Sequence, residues 1–493
     1  MEKSLNDRIY KVFLLLILFC GIFLRTKYFF QFRWLWGDEL ALYYNIRSDA
    51  SIFNVFSSLD NNQVAPPLFL FFSKLILEFL KFSNESYLAS LRIIPFIASI
   101  ISIFAFFDLT RKFLLNKLNI LTSNLLFCLN MHLIYFASDF KQYSSDVCVF
   151  ILILISYFYI DFDKFTIKKL CLIGIIYAFS MFFSFTSLFA IGAIFVLILN
   201  QNFKKENISK FIALILPCII GFVLLYSTQK NILSNDYLYS FWANGFVNNI
   251  HGLVYYLFSN AFSYFLSIPV NKIDNLIPLL LILGIIKLLL NNEPRPKIII
   301  LLFPIMSLSL SVMLHIYPFY ERLALFMFPL LILLIINLFE INKWYINVFS
   351  LTLFTTVLFV SLKYQNPFNA KIADLKQPLL YSFSVCGEND TLLLNRYDFD
   401  IYAKYNNIYH FNRKFKCINF TKENFENLEA GQYCLVNAVT DNHPDLTDNN
   451  QRKIYHAKLL RNLKDTEIIE TYNDGKENIL VKFRKQFMFT KGK

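Results

Sequence analysis

Two adjacent carboxylates near the N-terminus are the first residues whose types could do chemistry. Asp38 and Glu39 follow the segment Trp34–Gly37, shortly after the first apolar run of a strongly apolar chain. Acidic side chains this close to hydrocarbon are costly unless they face water or a partner. One interpretation is a solvated acid pair in a loop. The other is a functional pair, in which a carboxylate takes the proton of a bound hydroxyl group.

Cations and hydrogen-bonding side chains follow in later polar segments. Residues 138–146 hold five such side chains at the end of an apolar run: Asp139, Lys141, Gln142, Tyr143 and Asp146. Arg92 and Arg322 each begin an apolar run, and Arg322 comes two residues after Tyr320. The helix dipole disfavours a cation at a helix start, so an anionic ligand would compensate, and guanidinium binds phosphate through paired hydrogen bonds. Alternatively, segment 138–146 is a plain loop held by its tyrosine, and both arginines only anchor helices at the membrane interface.

The composition indicates a membrane protein with many spans. The chain has 493 residues, of which 56% are hydrophobic and 17% charged, and several apolar runs approach the ~20 residues that cross a bilayer as helix. The net charge of +12 does not indicate a nucleic-acid partner. Before the polar tail, Lys and Arg lie mostly in short gaps between apolar runs, which is typical of cytoplasmic loops. The first run, Val12–Leu24, resembles a signal peptide, but Arg25 and Lys27 follow it instead of a small-residue cleavage site, so we expect an uncleaved span.

A short apolar stretch, residues 68–82, decides the predicted topology. Lys74, Glu78 and Lys81 recur there at helical spacing, which favours a helix lying in the membrane interface over one that crosses. Ten spans then follow the first, at about 92–110, 118–137, 147–160, 171–185, 187–200, 210–227, 274–290, 298–314, 322–340 and 345–362. With these eleven spans, every basic cluster between them falls on one side, as the positive-inside rule requires. We therefore expect a polytopic α-helical membrane protein with its N-terminus in the cytoplasm and its C-terminus outside.

The chain changes character after residue 365. We predict a membrane domain over residues 1–365 and a small soluble α/β domain over 366–493. The tail has strand-like runs, separated by helix-compatible stretches such as Ile401–Tyr405: Thr391–Tyr397, Gln432–Val439 and Asn478–Phe483. Three cysteines lie in the tail: Cys386, Cys417 and Cys434. If the tail lies outside the cytoplasm, one disulfide can form and the third thiol is left over.

The remaining long polar segment, about residues 228–273, holds His251. This residue is a candidate acid, base or ligand, although a lone histidine is more often a surface residue. No Walker loop and no GxGxxG, CxxC or HExxH motif occurs in the sequence, and the predicted cytoplasmic loops are too short to hold a nucleotide-sugar-binding fold. A donor for a reaction on the outer face would have to arrive within the membrane. A lipid-linked phosphate fits, because its headgroup would lie at the depth of Lys141 and Arg322.

Taken together, these segments resemble the GT-C glycosyltransferases. The resemblance covers about residues 1–365 and is closest to the bacterial membrane branch related to the dolichyl-phosphate-mannose–protein mannosyltransferases and to the lipid A aminoarabinose transferase. It is carried by Trp36-Gly-Asp-Glu39, Gln63-Val-Ala-Pro-Pro-Leu68, Leu91-Arg92 with Pro95, segment 138–146 and Tyr317–Arg322. The fold that it implies is GT-C, with about eleven transmembrane helices and interfacial helices in the first outer loop.

The resemblance also implies an activity. It is the inverting transfer of a hexosyl or pentosyl group from a polyprenyl-phosphate-linked sugar to a lipid, glycan or protein acceptor. The reaction would take place on the periplasmic face of a bacterial inner membrane, where the C-terminal domain would also lie. Asp38 matches the first-loop catalytic acid and would act as general base. Glu39 would shape the site or bind a divalent cation, which some members use. Lys141 and Arg322 match basic residues near the donor phosphate, and we add Tyr143 and Arg92 to that set.

Two residues depart from the family pattern, and four more are further site candidates. Gln63 stands where many relatives have His, which puts a role for Gln63 in doubt. Glu321 stands where relatives often have Gly, so its charge would partly neutralise Arg322. The further site candidates are Asp139, Asp146, Tyr320 and His251.

Two other classes of protein compete with the transferase. A transporter or flippase of a lipid-linked or anionic substrate should have ionisable residues near mid-membrane and two related halves. In this sequence the charged residues cluster at span ends instead, and no internal repeat is visible. A non-catalytic scaffold or polymerase partner would use the polar tail as its functional part.

Overall fold

The computed structural model describes the chain in sections. These are residues 2–31, 35, 37–47, 51–60, 62–80, 89–202, 204–233, 236–249, 252, 276–290, 293–319, 321–341 and 343–364, and the strands 391–394, 416–419, 431–437, 466–473 and 479–485. The chain divides into two compact units. One contains Met1–Phe32 and Leu42–Asn369, and the other contains Arg33–Ala41 and Ala370–Lys493.

The described part of the chain up to residue 364 is mainly helical. Long runs of Leu, Ile and Phe favour helix in a membrane, because a helix satisfies its own backbone hydrogen bonds where no water can do so. The α-helices are α1 (Glu2–Phe29), α2 (Gly37–Tyr43), α3 (Pro67–Phe79), α4 (Ile93–Phe113), α5 (Lys117–Cys128), α6 (Met131–Phe136), α7 (Tyr143–Ser156), α8 (Ile167–Phe183), α9 (Ser187–Asn202), α10 (Ile208–Leu233), α11 (Asp236–Phe241), α12 (Leu276–Leu290), α13 (Arg295–Met313), α14 (Phe328–Leu338) and α15 (Trp344–Tyr364). Short 3₁₀ helices lie at Ile52–Phe56, Ser90–Arg92, Tyr157–Tyr159, Lys205–Asn207, Ala243–Gly245 and Glu321–Met327.

Four of the described helical stretches are long and apolar enough to cross a membrane: Asp7–Phe29, Ser90–Phe113, Lys205–Gln229 and Arg295–Met313. Shorter apolar helices lie at Tyr143–Tyr159, Ser187–Asn202, Leu279–Leu290, Arg322–Leu338 and Trp344–Phe359. Each of the eleven predicted spans overlaps a helix. The predicted span 118–137 is divided into α5 and α6, because the side chain of Asn130 accepts a hydrogen bond from Leu133 N at 2.9 Å and starts a new helix. The chain thus fits an α-helical membrane protein, while the number of crossings stays a prediction.

Two sets of contacts join loops that are distant in sequence. The carboxylate of Glu340, between α14 and α15, accepts hydrogen bonds from Leu115 N at 2.9 Å and Asn116 N at 2.8 Å, between α4 and α5. Both loops are predicted to be cytoplasmic. At the other side, Phe319 N donates to Gly245 O at 2.9 Å, and both of these residues lie in segments predicted to be outside.

A buried arginine ties three helices together. Arg25, near the end of α1, is fully buried, and its guanidinium donates to Ser99 Oγ of α4 at 2.7 Å. It also donates to the carbonyl oxygens of Gly21 at 3.0 Å, Cys128 at 2.7 Å and Phe127 at 3.3 Å. Two of these carbonyls end α5, where a helix leaves its last C=O groups without partners and where a cation is favoured by the helix dipole.

Small residues allow α8 and α10 to approach closely. A Cβ atom added at Gly174 of α8 would lie 2.3 Å from the carbonyl oxygen of Leu214 in α10. A Cβ added at Gly221 of α10 would lie 2.7 Å from Cβ of Ala178 in α8. Close approach at small residues is a general way in which helices pack in membranes. After α8, the chain turns at Ser184 and enters α9 at Ser187, as the predicted Phe183–Ser187 turn requires.

The predicted charged stripe of α3 is confirmed for Lys74 and Glu78, which lie one turn apart on the helix, although Lys74 is buried. Lys74 is 1% exposed, and its ammonium donates to Arg47 O at 2.9 Å and pairs with Glu78 at 3.5 Å. Glu78 remains exposed. The long aliphatic part of a lysine can be buried while its charged end finds a polar partner. Here that partner is a backbone carbonyl of the first polar region. Lys81 lies outside the described residues.

The strands of the tail form a mixed sheet. They are β1 (Thr391–Leu394), β2 (Lys416–Asn419), β3 (Gly431–Asn437), β4 (Thr466–Asn473) and β5 (Ile479–Lys485), in the order β2-β1-β3-β5-β4. Strand β1 is parallel to β2 and β3, whereas β5 is antiparallel to β3 and β4. Three of these strands overlap the predicted runs, and β2 and β4 were not predicted. The stretch Ile401–Tyr405 lies outside the described residues.

Candidate functional site

The polar segment 138–146 is buried at the start of α7. The exposed fraction of Asp139 is 0%, that of Lys141 is 5% and that of Asp146 is 6%. A plain solvated loop would leave these side chains in water. Burial of so many polar groups is costly unless they are hydrogen-bonded or bind something, so the segment has a structural or functional use.

Lys141 connects this segment with the Pro-Pro motif of the first polar region. Its Nζ donates to Oε1 of Gln63 at 2.7 Å. Gln63 comes shortly before Pro67, the first residue of α3. Phe140, which precedes Lys141 in the sequence, stacks on Phe69 of α3, with ring centroids 5.9 Å apart. Two motifs that are distant in the chain therefore meet.

Arg322 lies against the same segment. Its guanidinium carbon is 5.9 Å from the ring centroid of Tyr143, the first residue of α7. It is also 5.8 Å from the ring centroid of Trp242, in the segment between α11 and α12. Aromatic faces attract a guanidinium group at this range. Arg322 therefore contacts segment 138–146 at Tyr143, two residues after Lys141 in sequence.

Tyr317 and Asp146 make further contacts near Arg322 and the start of α7. The hydroxyl of Tyr317 donates to Leu323 O at 3.0 Å, next to Arg322. Burial is the main cause that holds the pKa of Tyr317 well above its ordinary value, and a carboxylate at nearby Asp146 raises it further, so the hydroxyl keeps its proton. Asp146 in turn accepts a hydrogen bond from Ser184 Oγ at 2.5 Å, which joins α7 to the turn between α8 and α9.

Several buried oxygen atoms at the start of α7 and α9 have unused hydrogen-bonding capacity. Within the part of the chain that the structure describes, Gln142 Oε1, Ser144 Oγ, Ser145 Oγ and Ser187 Oγ make no hydrogen bond. Ser144 and Ser145 lie in the first turn of α7, where backbone N–H groups and the helix dipole favour an anion. These hydroxyls escaped the sequence analysis because Ser is common in loops. The pair Ser144-Ser145 beside Tyr143 was the available signal.

Asp38 and Glu39 lie in the other compact unit, which contains Arg33–Ala41. They occupy the first turn of α2, where the helix dipole favours acidic side chains. The two carboxyl groups differ in exposure: Glu39 is fully buried, whereas Asp38 is half-buried. Of the pair, Asp38 is therefore the residue that a reactant can reach from solvent.

The other predicted site residues have different outcomes. Arg92 is buried at the end of the 3₁₀ helix Ser90–Arg92, which packs against α3 and α4. His251 and Tyr320 lie outside the described residues. Trp242 was missed, because residues 228–273 contain many aromatic side chains and the sequence does not mark the one that contacts Arg322.

Among the residues that the structure describes, no group of three or more His, Cys, Asp or Glu side chains could hold a metal ion. None of the steps proposed below is assigned to a metal.

Comparison of the sequence with protein-family models and with curated proteins found no match. The class that the fold supports is an α-helical membrane protein.

Proposed function

We propose that this chain is a membrane glycosyltransferase that uses a polyprenyl-phosphate-linked sugar as donor. The observation that carries the proposal is the contact between Arg322 and Tyr143, which joins Arg322 to the segment that also holds Lys141. Lys141 and Arg322, two cations from distant parts of the sequence, both lie near the start of α7, which supports a shared phosphate site. Arginine recognises phosphate by paired hydrogen bonds, and lysine adds a mobile point charge.

The neutral groups of the site suit the same ligand. The unbonded hydroxyls of Ser144 and Ser145 can donate to phosphate oxygens at the N-terminus of α7. The nearest carboxyl group on that helix, Asp146, already accepts the hydrogen bond of Ser184. The site therefore offers cations and hydroxyl donors to an anion, with one of its acids already hydrogen-bonded.

The proposed chemistry is an inverting displacement. The acceptor hydroxyl gives its proton to the Asp38 carboxylate as its oxygen bonds to the anomeric carbon of the donor sugar. The bond between that carbon and the phosphate oxygen breaks, and its electron pair leaves on the polyprenyl phosphate. Lys141 and Arg322 stabilise the charge that develops on this leaving group. Glu39, which is buried, shapes the surroundings of Asp38 instead of touching the acceptor.

The proposed placement is a multi-pass protein of the bacterial inner membrane with eleven spans. The N-terminus would be cytoplasmic, and the active site and a C-terminal α/β domain would be periplasmic. The parallel pairs β1–β2 and β1–β3 support the α/β assignment, because parallel neighbours need crossover connections, which are usually helical.

The test uses the full-length protein purified in lipid nanodiscs with a panel of polyprenyl-phosphate sugars and candidate acceptors. Asp38→Asn should reduce transfer about 100-fold or more, because it removes the base while keeping the shape of the side chain. The matched control is Asp60→Asn, which changes an exposed acid of the same polar region and should leave transfer unchanged. Full activity of Asp38→Asn, or no transfer from any polyprenyl-phosphate sugar by the unaltered protein, would overturn the proposal.

A further inference from the structure

His315 occupies a backbone position that normally requires glycine. Helix α13 ends in a Schellman motif, in which Ile316 N donates to Ser311 O at 2.8 Å and His315 N donates to Val312 O at 3.2 Å. The residue at the centre of such a motif adopts the left-handed conformation, and His315 has φ 57°. Glycine is strongly preferred at this position because a Cβ atom is strained there. A strained non-glycine residue calls for a reason in its side chain.

The imidazole of His315 supplies that reason by fastening a neighbouring segment. We call residues 236–249 the strap; it contains α11 and the 3₁₀ helix Ala243–Gly245. The hydroxyl of Tyr239 hydrogen-bonds to Nδ1 of His315, and Nε2 lies 2.8 Å from Asn248 Oδ1. The ring of Phe246 stacks on the imidazole, with centroids 5.1 Å apart. Three strap residues, near both of its ends, therefore hold one histidine.

The strap carries Trp242 to Arg322. Trp242 lies between the fastened residues Tyr239 and Phe246, and its ring centroid is 5.8 Å from the guanidinium carbon of Arg322. Rings from two separate elements, Trp242 of the strap and Tyr143 of α7, thus contact one guanidinium group. Aromatic contacts of this kind restrict the orientation of the guanidinium plane and so the direction of its N–H groups.

We infer that His315 and Trp242 are positioning residues, which hold Arg322 in the orientation that binds the phosphate of a lipid-linked substrate. His315 acts through the strap, and Trp242 acts through its ring. This inference rests on the proposed function, in which Arg322 contacts the phosphate. It explains why the chain keeps a histidine at a position where glycine would relieve backbone strain.

The decisive variant is His315→Gly, because it should affect stability and binding in different directions. Backbone strain predicts no loss of stability, whereas the positioning role predicts a loss of affinity. Glycine relieves the left-handed backbone, so the Tm of the variant should be unchanged or raised. It also releases the strap, so the affinity for polyprenyl monophosphate in nanodiscs should fall by about 3- to 30-fold. Unchanged affinity would overturn the inference. If His315→Gly does not fold, His315→Asn, which tolerates the same conformation, is measured for the same loss of affinity.

Trp242 is tested by size and by coupling. Trp242→Leu should weaken polyprenyl monophosphate binding to the same extent, Trp242→Phe should restore most of it, and Trp344→Leu, which alters an exposed tryptophan of α15, should have no effect. The double variant of Trp242→Leu and His315→Gly should bind no more weakly than the worse single variant, because both act through one contact. Additive losses would overturn the shared mechanism.

Arg322→Ala separates the two proposals. If this variant binds polyprenyl monophosphate as tightly as the unaltered protein, the proposed function loses its phosphate site. If Arg322→Ala weakens binding while His315→Gly and Trp242→Leu do not, only the positioning role is wrong. A direct readout is the fluorescence of Trp242 in a variant whose Trp34, Trp36 and Trp344 are changed to Phe. This fluorescence should shift when polyprenyl monophosphate is added, and an unchanged spectrum would count against the contact of Trp242 with the phosphate site.

Discussion

The Nζ atom of Lys141 donates a hydrogen bond to Oε1 of Gln63 at 2.7 Å, across 78 positions of sequence. This contact joins the motif before α3 to the segment before α7. It also gives Gln63 a role that the sequence left in doubt, because an amide can hold the lysine in place without neutralising it. A histidine at the same position could accept the same hydrogen bond through one ring nitrogen.

The neutrality of Gln63 leads to the first prediction. Gln63→Glu places a carboxylate beside Lys141, and the resulting ion pair should compete with a phosphate ligand. We expect the affinity for polyprenyl monophosphate to fall about tenfold or more, while the Tm is unchanged or raised. Binding assays on the purified protein measure the first and thermal unfolding the second. Gln63→His serves as the control and should keep most of the affinity. Equal binding by Gln63→Glu and the unaltered protein would remove Lys141 from the anion site.

Arg25 is predicted to contribute to stability and not to activity. Arg25→Met keeps the length of the side chain but leaves the carbonyl groups of Phe127 and Cys128 without their donor. The variant should lose about 2–4 kcal/mol of unfolding free energy. The measurement is the Tm and the yield of folded protein in detergent, compared with Lys11→Met, which alters an exposed cation of the same helix. A variant that stays fully stable but loses transfer activity would show a functional role for Arg25.

The sheet register predicts which cysteines cannot pair. Cys417 of β2 and Cys434 of β3 are both register partners of Leu392 in β1, on its two sides. Neighbouring strands are about 4.8 Å apart, so their Cα atoms are separated by about 9.6 Å, whereas a disulfide needs less than about 7 Å. Peptide mapping of the non-reduced protein should therefore find no bond between Cys417 and Cys434. Any disulfide of the tail must then include Cys386, and Cys386→Ser should abolish it. A mapped bond between Cys417 and Cys434 would contradict this register.

Much of the helical architecture could be predicted from the sequence. Each predicted span overlaps a helix, and the turn at Phe183–Ser187 lies between α8 and α9. Hydropathy and helix-breaking residues act over one or two turns, so a local stretch of sequence carries the information. The interruption at Asn130 was missed, because a single capping side chain divides a run whose hydropathy is continuous.

Burial and long-range contacts were less predictable. Lys74 and Glu39 carry charges that favour water, yet both are buried. The sequence marks them as polar, but only their neighbours in space decide whether a hydrogen-bond or charge partner offsets the free-energy cost of burial. The same reasoning explains why strands β2 and β4 escaped prediction, since they obtain their hydrogen bonds from neighbours distant in the chain.

The sequence by itself determined the apolar helices, the polar segments between them and the candidates for chemistry, because each is a property of consecutive residues. The tertiary structure decided which candidates meet. It brought Arg322 to Tyr143, Gln63 to Lys141 and the unpredicted Trp242 to Arg322. It also set apart the half-buried Asp38 from its buried neighbour Glu39. These outcomes depend on how helices far apart in sequence pack, and packing depends on the shapes of all the side chains at once.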